Sequence, residues 1–147
     1  MFHGSSQLSL DSKGRLAIPA KYRDELVAAC EGRLVVTADP DRCLLVYPKP
    51  EWEPIQKKLM SLSSFKPKTR ALQRLLVGYA EDVEMDGAGR ILLPATLRTY
   101  AALEKRVVLA GQGNRLELWD EDRWLQQCAL VGSLEEDMPD ELEGFSL

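Results

Sequence analysis

The chain has 147 residues, of which 45% are hydrophobic and 29% charged, a globular composition that suits one compact unit or two small, intimately packed halves. No apolar run approaches the roughly 18 residues that span a bilayer, and the first residues lack the basic start and long apolar stretch of a signal peptide. Cys30, Cys43 and Cys128 form no CxxC pair, which favours a reduced, cytoplasmic protein with three buried thiols over a disulfide framework.

The first half is predicted to form a hairpin, a helix, a second hairpin and a second helix. Apolar residues alternate on both sides of Asp11-Ser12-Lys13-Gly14, which indicates two strands joined by a turn. In that turn Asp11 can accept backbone N–H groups and Gly14 can take a positive φ. Pro19 opens a helix and Gly32 ends it. The remaining predicted elements are strands over 34–36 and 43–47, with a turn at 39–41 between them, and a helix that follows Pro50.

The middle of the chain is basic and amphipathic. It contains Lys57, Lys58, Lys66, Lys68, Arg70 and Arg74 with no acidic residue among them. The spacing of Leu72, Leu75, Leu76 and Tyr79 predicts a helix within 61–79 that joins two halves. We interpret its basic residues as a solvated face in preference to a nucleic-acid contact.

The second half repeats the first. Asp86-Gly87-Ala88-Gly89-Arg90 returns the pentad that begins at Asp11, at an offset of 75 residues and with the same alternating apolar flanks. The predicted elements that follow are a helix through 97–101, strands over 107–110 and 116–118, and a helix over 121–131. The repeat predicts an α+β fold with a pseudo-twofold axis, and we expect both turns on the same side of the molecule.

Four segments are predicted: a first half over 1–60, a basic helical linker over 61–80, a second half over 81–132 and an acidic tail over 133–147. The net charge of −4 depends on six acidic residues in that tail, which has no basic residue. Without them, 19 basic residues stand against the remaining 17 of the 23 acidic ones, so the net charge does not exclude an anionic partner. We expect the tail to be disordered.

Catalysis is difficult to build from these residues. The only histidine is His3, so nucleophilic triads lack a well-placed base. The acidic residues around Glu84 alternate with apolar ones, which favours a solvated strand face over a metal site. The turn at Asp11 puts Lys13 inside a loop that calcium would need to enter, and Gly111-Gln112-Gly113 lacks the rest of a dinucleotide fingerprint. The sequence predicts neither an enzyme nor a cofactor.

The two turns admit a structural and a functional interpretation. Asp and Gly make a good hairpin turn, and the arginine that follows could simply pair with the aspartate. However, turn geometry does not require an arginine after the glycine, and Arg15 and Arg90 occupy that position in both copies. Arginine offers a planar fork for phosphate oxygens or a guanine edge, and a two-stranded ribbon can approach the major groove.

The pattern Asp-x-x-Gly-Arg-hydrophobic-x-hydrophobic-Pro, with Arg23 or Arg98 four residues after the proline, resembles the SpoVT/AbrB-type DNA-binding domain. The chain as a whole resembles the MraZ family. The features that carry this resemblance are two such motifs joined by a basic helix, the opening Met-Phe-x-Gly and the Leu-Trp-Asp before Trp124. The resemblance runs from Met1 to about Val131 and leaves out the acidic tail.

The resemblance implies a duplicated fold of SpoVT/AbrB-like β-barrel halves of the swapped-hairpin type, both supplied by one chain, with short helices. It implies a transcriptional regulator of the nucleoid that assembles as a homo-oligomeric ring. Such a ring would bind double-stranded DNA upstream of its own operon in the division and cell-wall gene cluster. We expect the boxes to be direct repeats, because neighbours related head to tail meet DNA in the same polarity.

Carried onto this chain, the family's turn contacts fall first on Lys13 and Arg15 and next on Arg90. Arg23 and Arg98 match helix arginines that touch DNA in the wider fold. The turns themselves are formed by Asp11, Gly14, Asp86 and Gly89. The second turn has Ala88 where Lys13 stands in the first, which implies a weaker contact or a role in assembly.

Two other classes of function stay open. An antitoxin-like member of the superfamily would bind DNA but needs a toxin-binding tail, and the acidic C-terminus lacks the apolar anchors of such a segment. A structural or protein-binding ring would use both turn arginines in contacts between subunits.

Overall fold

The computed structural model describes residues 1–133. Its elements follow the duplicated order that the sequence predicts. The strands are β1 (Ser5–Ser9), β2 (Arg15–Ala17), β3 (Arg33–Ala38), β4 (Leu44–Pro48), β5 (Glu81–Glu84), β6 (Arg90–Leu92), β7 (Arg106–Gly111) and β8 (Leu116–Asp120). The helices are α1 (Ala20–Cys30), α2 (Lys49–Ser61), α3 (Pro67–Leu76), α4 (Ala95–Tyr100) and α5 (Glu121–Ser133).

The strands form one six-stranded antiparallel sheet and one two-stranded antiparallel ribbon. The order in the sheet is β1-β7-β8-β4-β3-β5, and the ribbon pairs β2 with β6. In the repeat β1 corresponds to β5, β3 to β7 and β4 to β8. Exchanging these pairs gives the same strand order read from the opposite edge of the sheet. The topology therefore has the pseudo-twofold symmetry expected from the repeat, with its axis between β4 and β8 and between β2 and β6.

The two turns form as predicted, but the prediction that the strands on either side of each turn pair as a hairpin is wrong. Asp11 N–H donates to Arg15 O, but the next amide along the strand, Leu10 N–H, donates to Lys105 O at 2.8 Å. From there β1 pairs with β7 of the other half, and β5 likewise pairs with β3. The strands separate because their apolar faces are buried in a core that both halves build, so each half supplies an edge strand to the other.

That core lies between the inner face of the sheet and a layer made of the ribbon, α1 and α4. It includes Leu16 and Ile91 from the ribbon, Leu26 from α1 and Leu97 from α4, all fully buried. A smaller cluster around Trp52 covers the outer face of β3 and β4. Both faces of these strands are therefore buried, which explains why they read as continuous apolar runs.

Prolines lie at the starts of α1 and α2, although α2 begins at Lys49, before Pro50 and not after it as predicted. Pro19 precedes α1, and Pro50 lies in the first turn of α2, where a missing N–H breaks no helical hydrogen bond. Glu31 takes a left-handed conformation (φ 56°) at the end of α1, followed by Gly32 at φ 76°.

Two sequence predictions require correction. The linker helix is shorter than 61–79 because the backbone is extended at Leu62, after α2, and α3 begins only at Pro67 and ends at Leu76. The Thr37 hydroxyl donates to Leu76 O at 2.5 Å and ties that helix end to the sheet. Cys30 and Cys43 are buried as expected, but Cys128 is exposed because it lies on the solvent side of α5.

The division into four segments stays a prediction, and residues 134–147 of the predicted acidic tail lie outside the described residues. None of the helices in 1–133 is long and apolar enough to cross a membrane.

Candidate nucleic-acid interface

The first turn is built around the Asp11 carboxylate. Its Oδ1 accepts from the Lys13 and Arg15 backbone N–H groups at 2.9 and 2.8 Å, and its Oδ2 accepts from Arg15 Nε at 2.6 Å. Gly14 N–H donates to Asp11 O at 3.0 Å, and Gly14 has φ 79°. One carboxylate thus fixes both the backbone of the turn and the orientation of the guanidinium that follows it.

The second turn reproduces this geometry with one change of side chain. Asp86 Oδ1 accepts from the Ala88 and Arg90 backbone N–H groups, both at 2.9 Å. Its Oδ2 accepts from Arg90 Nε at 3.2 Å, and Gly89 has φ 77°. Because Ala88 stands where Lys13 stands in the first turn, the second turn carries one fewer cation.

The same hydrogen bonds lower the pKa of both aspartates. For Asp11 the main cause is the Arg15 backbone N–H, opposed by partial desolvation and supported by the Arg15 side chain and the Lys13 backbone N–H. For Asp86 the main cause is the Arg90 backbone N–H, again opposed by desolvation, with the Ala88 backbone N–H and the Arg90 charge adding to it. Both carboxylates are therefore ionised at neutral pH, and each remains partnered with its arginine.

The ribbon brings both arginines to one surface. In its register Arg15 lies opposite Leu92, and Ala17 lies opposite Arg90. Leu16 and Ile91, between them, are fully buried, so alternation puts Arg15 and Arg90 on the outer face. Diagonal neighbours in an antiparallel pair lie about 7–8 Å apart, which brings two arginines, both partly exposed, onto one ribbon.

Lys13 adds a third cation beside this face, since it is exposed at the tip of the first turn. The terminal guanidinium nitrogens of Arg15 and Arg90 have no hydrogen-bond partner among residues 1–133. Each arginine is thus held by Nε and keeps an edge of two terminal nitrogens for another acceptor, the arrangement that suits a phosphate or a guanine edge.

Arg23 and Arg98 occupy a different place. They lie on α1 and α4, half-buried behind the turns, and each donates to a backbone carbonyl. Arg23 Nη2 donates to Ile18 O at 2.8 Å, and Arg98 Nε donates to Leu93 O at 3.1 Å. Their guanidinium groups pack over the glycines of the two turns.

Sequence reasoning missed the neutral half of this surface. Ala17 and Leu92 lie between the arginines on the outer face, and Leu92 is 58% exposed. Their position two residues from the arginines carried the necessary signal, because residues i and i+2 share a strand face. An exposed leucine between two arginines offers apolar contact of the kind that reads a thymine methyl group.

Other chemistry has little support in the part of the chain that the structure describes. Within 1–133 no group of three or more His, Cys, Asp or Glu side chains is placed to hold a metal ion. The acidic residues Glu81, Asp82 and Glu84 of β5 are exposed, as expected for a solvated strand face. Burial raises the pKa of the Cys43 thiol far above its ordinary value, with a further increase from the nearby Asp39 carboxylate, so that thiol is a poor nucleophile.

Comparison with known proteins bears on the same two turns. The model of the family described as "MraZ protein, putative antitoxin-like" matches the chain twice, over residues 1–75 and 76–141. Each match contains one Asp-x-x-Gly-Arg turn.

Full-length relatives extend the match. A transcriptional regulator MraZ from Nitrosomonas eutropha is 64% identical over 148 aligned positions that cover all of both chains. Another from Thiobacillus denitrificans is 60% identical over the full length of both chains. A third, from Pseudomonas aeruginosa, is 58% identical over 84% of this chain and 83% of its own. The resemblance in the sequence is thereby confirmed, but its predicted end at about Val131 is wrong, because the second family match runs to residue 141 and the full-length relatives also cover the acidic tail. The chain belongs to the MraZ family.

Proposed function

We propose that this protein is a transcriptional regulator that binds double-stranded DNA through the outer face of the β2–β6 ribbon. The observation that carries the proposal is the meeting of both Asp-x-x-Gly-Arg turns on that ribbon, with Arg15 and Arg90 on one face. The proposed contacts are Lys13 and Arg15 first and Arg90 next, and Arg23 and Arg98 lie behind them. The relatives' name as transcriptional regulators supports the same role.

A single protomer offers few contacts, so we propose that it acts as a ring of identical subunits. Two or three phosphate contacts provide little affinity at physiological salt, whereas repeating the ribbon within one assembly can raise avidity by roughly 10² to 10⁴.

Two apolar patches support such an assembly. One lies at the junction of α2 and α3, where Met60, Leu62 and Phe65 are exposed, Phe65 to 91%. Arg70 donates to Ser64 O and Phe65 O and so holds this junction in place. The other lies on α5, which packs on β7 and β8 and on which Leu125 and Leu130 are exposed. Different patches on one chain favour head-to-tail contacts, which close into rings.

Head-to-tail neighbours would present their ribbons to DNA in the same polarity. We therefore propose that the target consists of direct repeats about one helical turn, roughly 10 base pairs, apart, upstream of the protein's own operon in the division and cell-wall gene cluster. The protein would then work in the cytoplasm at the nucleoid.

The decisive experiment compares the wild type with Arg15→Ala on DNA from upstream of the gene, titrated in salt, with random DNA of equal length as reference. The variant is expected to bind about 5- to 150-fold more weakly, since one bidentate contact contributes about 1–3 kcal/mol. The slope of log K against log salt is expected to fall by about 0.9 for each lost phosphate contact.

Lys58→Ala is the matched control, since Lys58 is an exposed cation on α2, away from the ribbon. It should leave both affinity and salt slope near the wild-type values. Wild-type binding no tighter than to random DNA would contradict the proposal. Adding about 5 base pairs between the repeats should weaken binding and adding about 10 should restore it, and a footprint over a palindrome would exclude direct repeats.

The competing function is a structural ring in which both arginines join subunits. The exposed junction around Phe65 is the observation that favours an assembly role. Size-exclusion chromatography with light scattering separates the two. Loss of assembly in Arg15→Ala would support the structural ring, whereas an intact assembly that no longer binds DNA would exclude it. An antitoxin-like role would require a toxin partner for residues after 133.

A further inference from the structure

The two turn glycines are buried beneath arginines that belong to the opposite half of the chain. A Cβ placed on Gly14 would lie 2.7 Å from both Cζ and Nε of Arg98. A Cβ placed on Gly89 would overlap Arg23 Nε and lie 2.5 Å from Arg23 Cζ. The guanidinium planes therefore rest directly on the turn backbones, and a side chain at either glycine would displace them.

Each arginine is also tied to the turn that it covers. Gly14 O accepts from Leu93 N–H at 3.0 Å, and Leu93 O accepts from Arg98 Nε at 3.1 Å. In the other copy Gly89 O accepts from Ile18 N–H at 2.9 Å, and Ile18 O accepts from Arg23 Nη2 at 2.8 Å. The turn, the neighbouring strand end and the arginine form a closed set of contacts in both places.

These contacts are crossed between the halves. Arg98 and Leu93 come from the second half and hold the turn of Lys13 and Arg15. Arg23 comes from the first half and holds the turn of Arg90. Arg23 Nε is buried and has no hydrogen-bond partner in residues 1–133, so packing over Gly89 positions that side of the guanidinium.

We infer that Arg23 and Arg98 are crossed positioning residues, each of which orders the DNA-contacting turn of the opposite half. The inference rests on the proposed function, because the turns must contact DNA for their order to affect affinity. A turn that is ordered before binding loses less conformational entropy when it meets DNA. Removing Arg98 should thus weaken the contacts of Lys13 and Arg15, and removing Arg23 should weaken that of Arg90.

Double-mutant cycles on the upstream DNA test the crossing. Arg98→Ala is expected to weaken binding about tenfold in the wild type and in Arg90→Ala, but less than about threefold once Arg15→Ala has removed the turn's arginine. Arg23→Ala should show the reverse dependence, coupling to Arg90 and not to Arg15. Equal effects in both backgrounds, or coupling within one half, would overturn the inference.

Lysine at these positions separates positioning from direct contact. Arg98→Lys keeps the charge but lacks the planar fork that packs on Gly14. If Arg98 orders the turn, Arg98→Lys should bind as weakly as Arg98→Ala. Near-wild-type affinity in Arg98→Lys would identify a simple phosphate contact instead and overturn the inference.

A measurement on the free protein keeps the test independent of DNA. The amide hydrogens of Lys13, Gly14 and Arg15 are all hydrogen-bonded to Asp11, so their exchange reports the order of the first turn. Arg98→Ala should speed amide exchange in the first turn and leave exchange at 86–90 unchanged. Arg23→Ala should speed exchange at 86–90 and leave the first turn unchanged.

Lys58→Ala serves as the control and should change neither turn, while circular dichroism checks that each variant is folded. If the wild type shows no preference for upstream DNA, the proposed function fails, but the exchange rates still decide whether the arginines order the turns. Unchanged exchange at the opposite turn would overturn the inference.

Discussion

At the scale of single residues, the feature that matters most is the aspartate that opens each turn. Asp11 and Asp86 each accept hydrogen bonds from two backbone N–H groups and from an arginine Nε, so one carboxylate binds three donors. The sequence shows an arginine directly after each turn, but it does not show that Nε is occupied and that the terminal nitrogens are left for a ligand. That detail depends on the side-chain conformation that the turn imposes.

Acid should loosen both turns. The folded pKa of each aspartate is lowered below its unfolded value of about 3.9. Ionised Asp11 and Asp86 therefore contribute stability that is fully present above that value and is lost as the pH falls through the lowered folded pKa. In Asp11→Asn the deficit in unfolding free energy relative to the wild type should be largest above about pH 4 and should shrink below it.

Denaturant unfolding of the two proteins at a series of pH values between about 2 and 6 measures this difference. A deficit that is independent of pH across this range would mean that the carboxylate charge does not stabilise the turn.

At the scale of elements, the ribbon joins the core to the proposed DNA-binding face. Leu16 is fully buried on its inner face, and Leu92 is 58% exposed on its outer face. Both residues are leucines of the ribbon, and they differ in the face on which they lie, which makes them a matched pair.

Leu16→Ala should lower the free energy of unfolding by about 2–5 kcal/mol, because it removes buried methyl groups and leaves a cavity. Leu92→Ala should change it by no more than about 0.5 kcal/mol. Urea unfolding followed by circular dichroism provides both values. Similar losses in the two variants would contradict the assignment of the inner and outer faces.

The helices show how far local signals reach. Pro19 and Gly32 act on their own backbone and immediate neighbours, and α1 begins and ends as predicted, whereas α2 begins at Lys49, one residue before Pro50. The predicted linker helix is too long because the apolar spacing that predicted it extends beyond the helical residues, and 62–66 and 77–79 are not helical. The Thr37 hydroxyl, 39 residues away, donates to the carbonyl at the end of α3, and no window around the helix contains that residue.

At the scale of the whole molecule, exchange of strands makes the two halves depend on each other. In the described sheet the edge strand β1 pairs with β7, and the edge strand β5 pairs with β3. Each half of the chain also contributes one strand to the ribbon. Neither half can therefore complete its own sheet, although the family model matches them one after the other along the chain.

Cutting the chain between Ser63 and Ser64, in the connection that precedes α3, should leave two fragments that do not fold alone. Mixing them in equal amounts should restore the far-ultraviolet circular dichroism of the sheet and a cooperative unfolding transition. The measurement is thermal unfolding of each fragment and of the mixture. A cooperative transition in either fragment by itself would show that a half is self-sufficient.

By itself the sequence determined the duplication, the two turns, most of the helices and membership of the family. These features depend on residues a few positions apart, such as Asp11 with Gly14, or on direct likeness between segments. The sequence also predicted the β3–β4 and β7–β8 hairpins, but only the tertiary structure decided which strands β1, β2, β5 and β6 pair with and which arginine covers which glycine. Two halves with the same apolar alternation can pair their strands within or between copies, and the shared core selects the second. Arg98 reaches Gly14 only because that core brings the end of β6 beside the first turn.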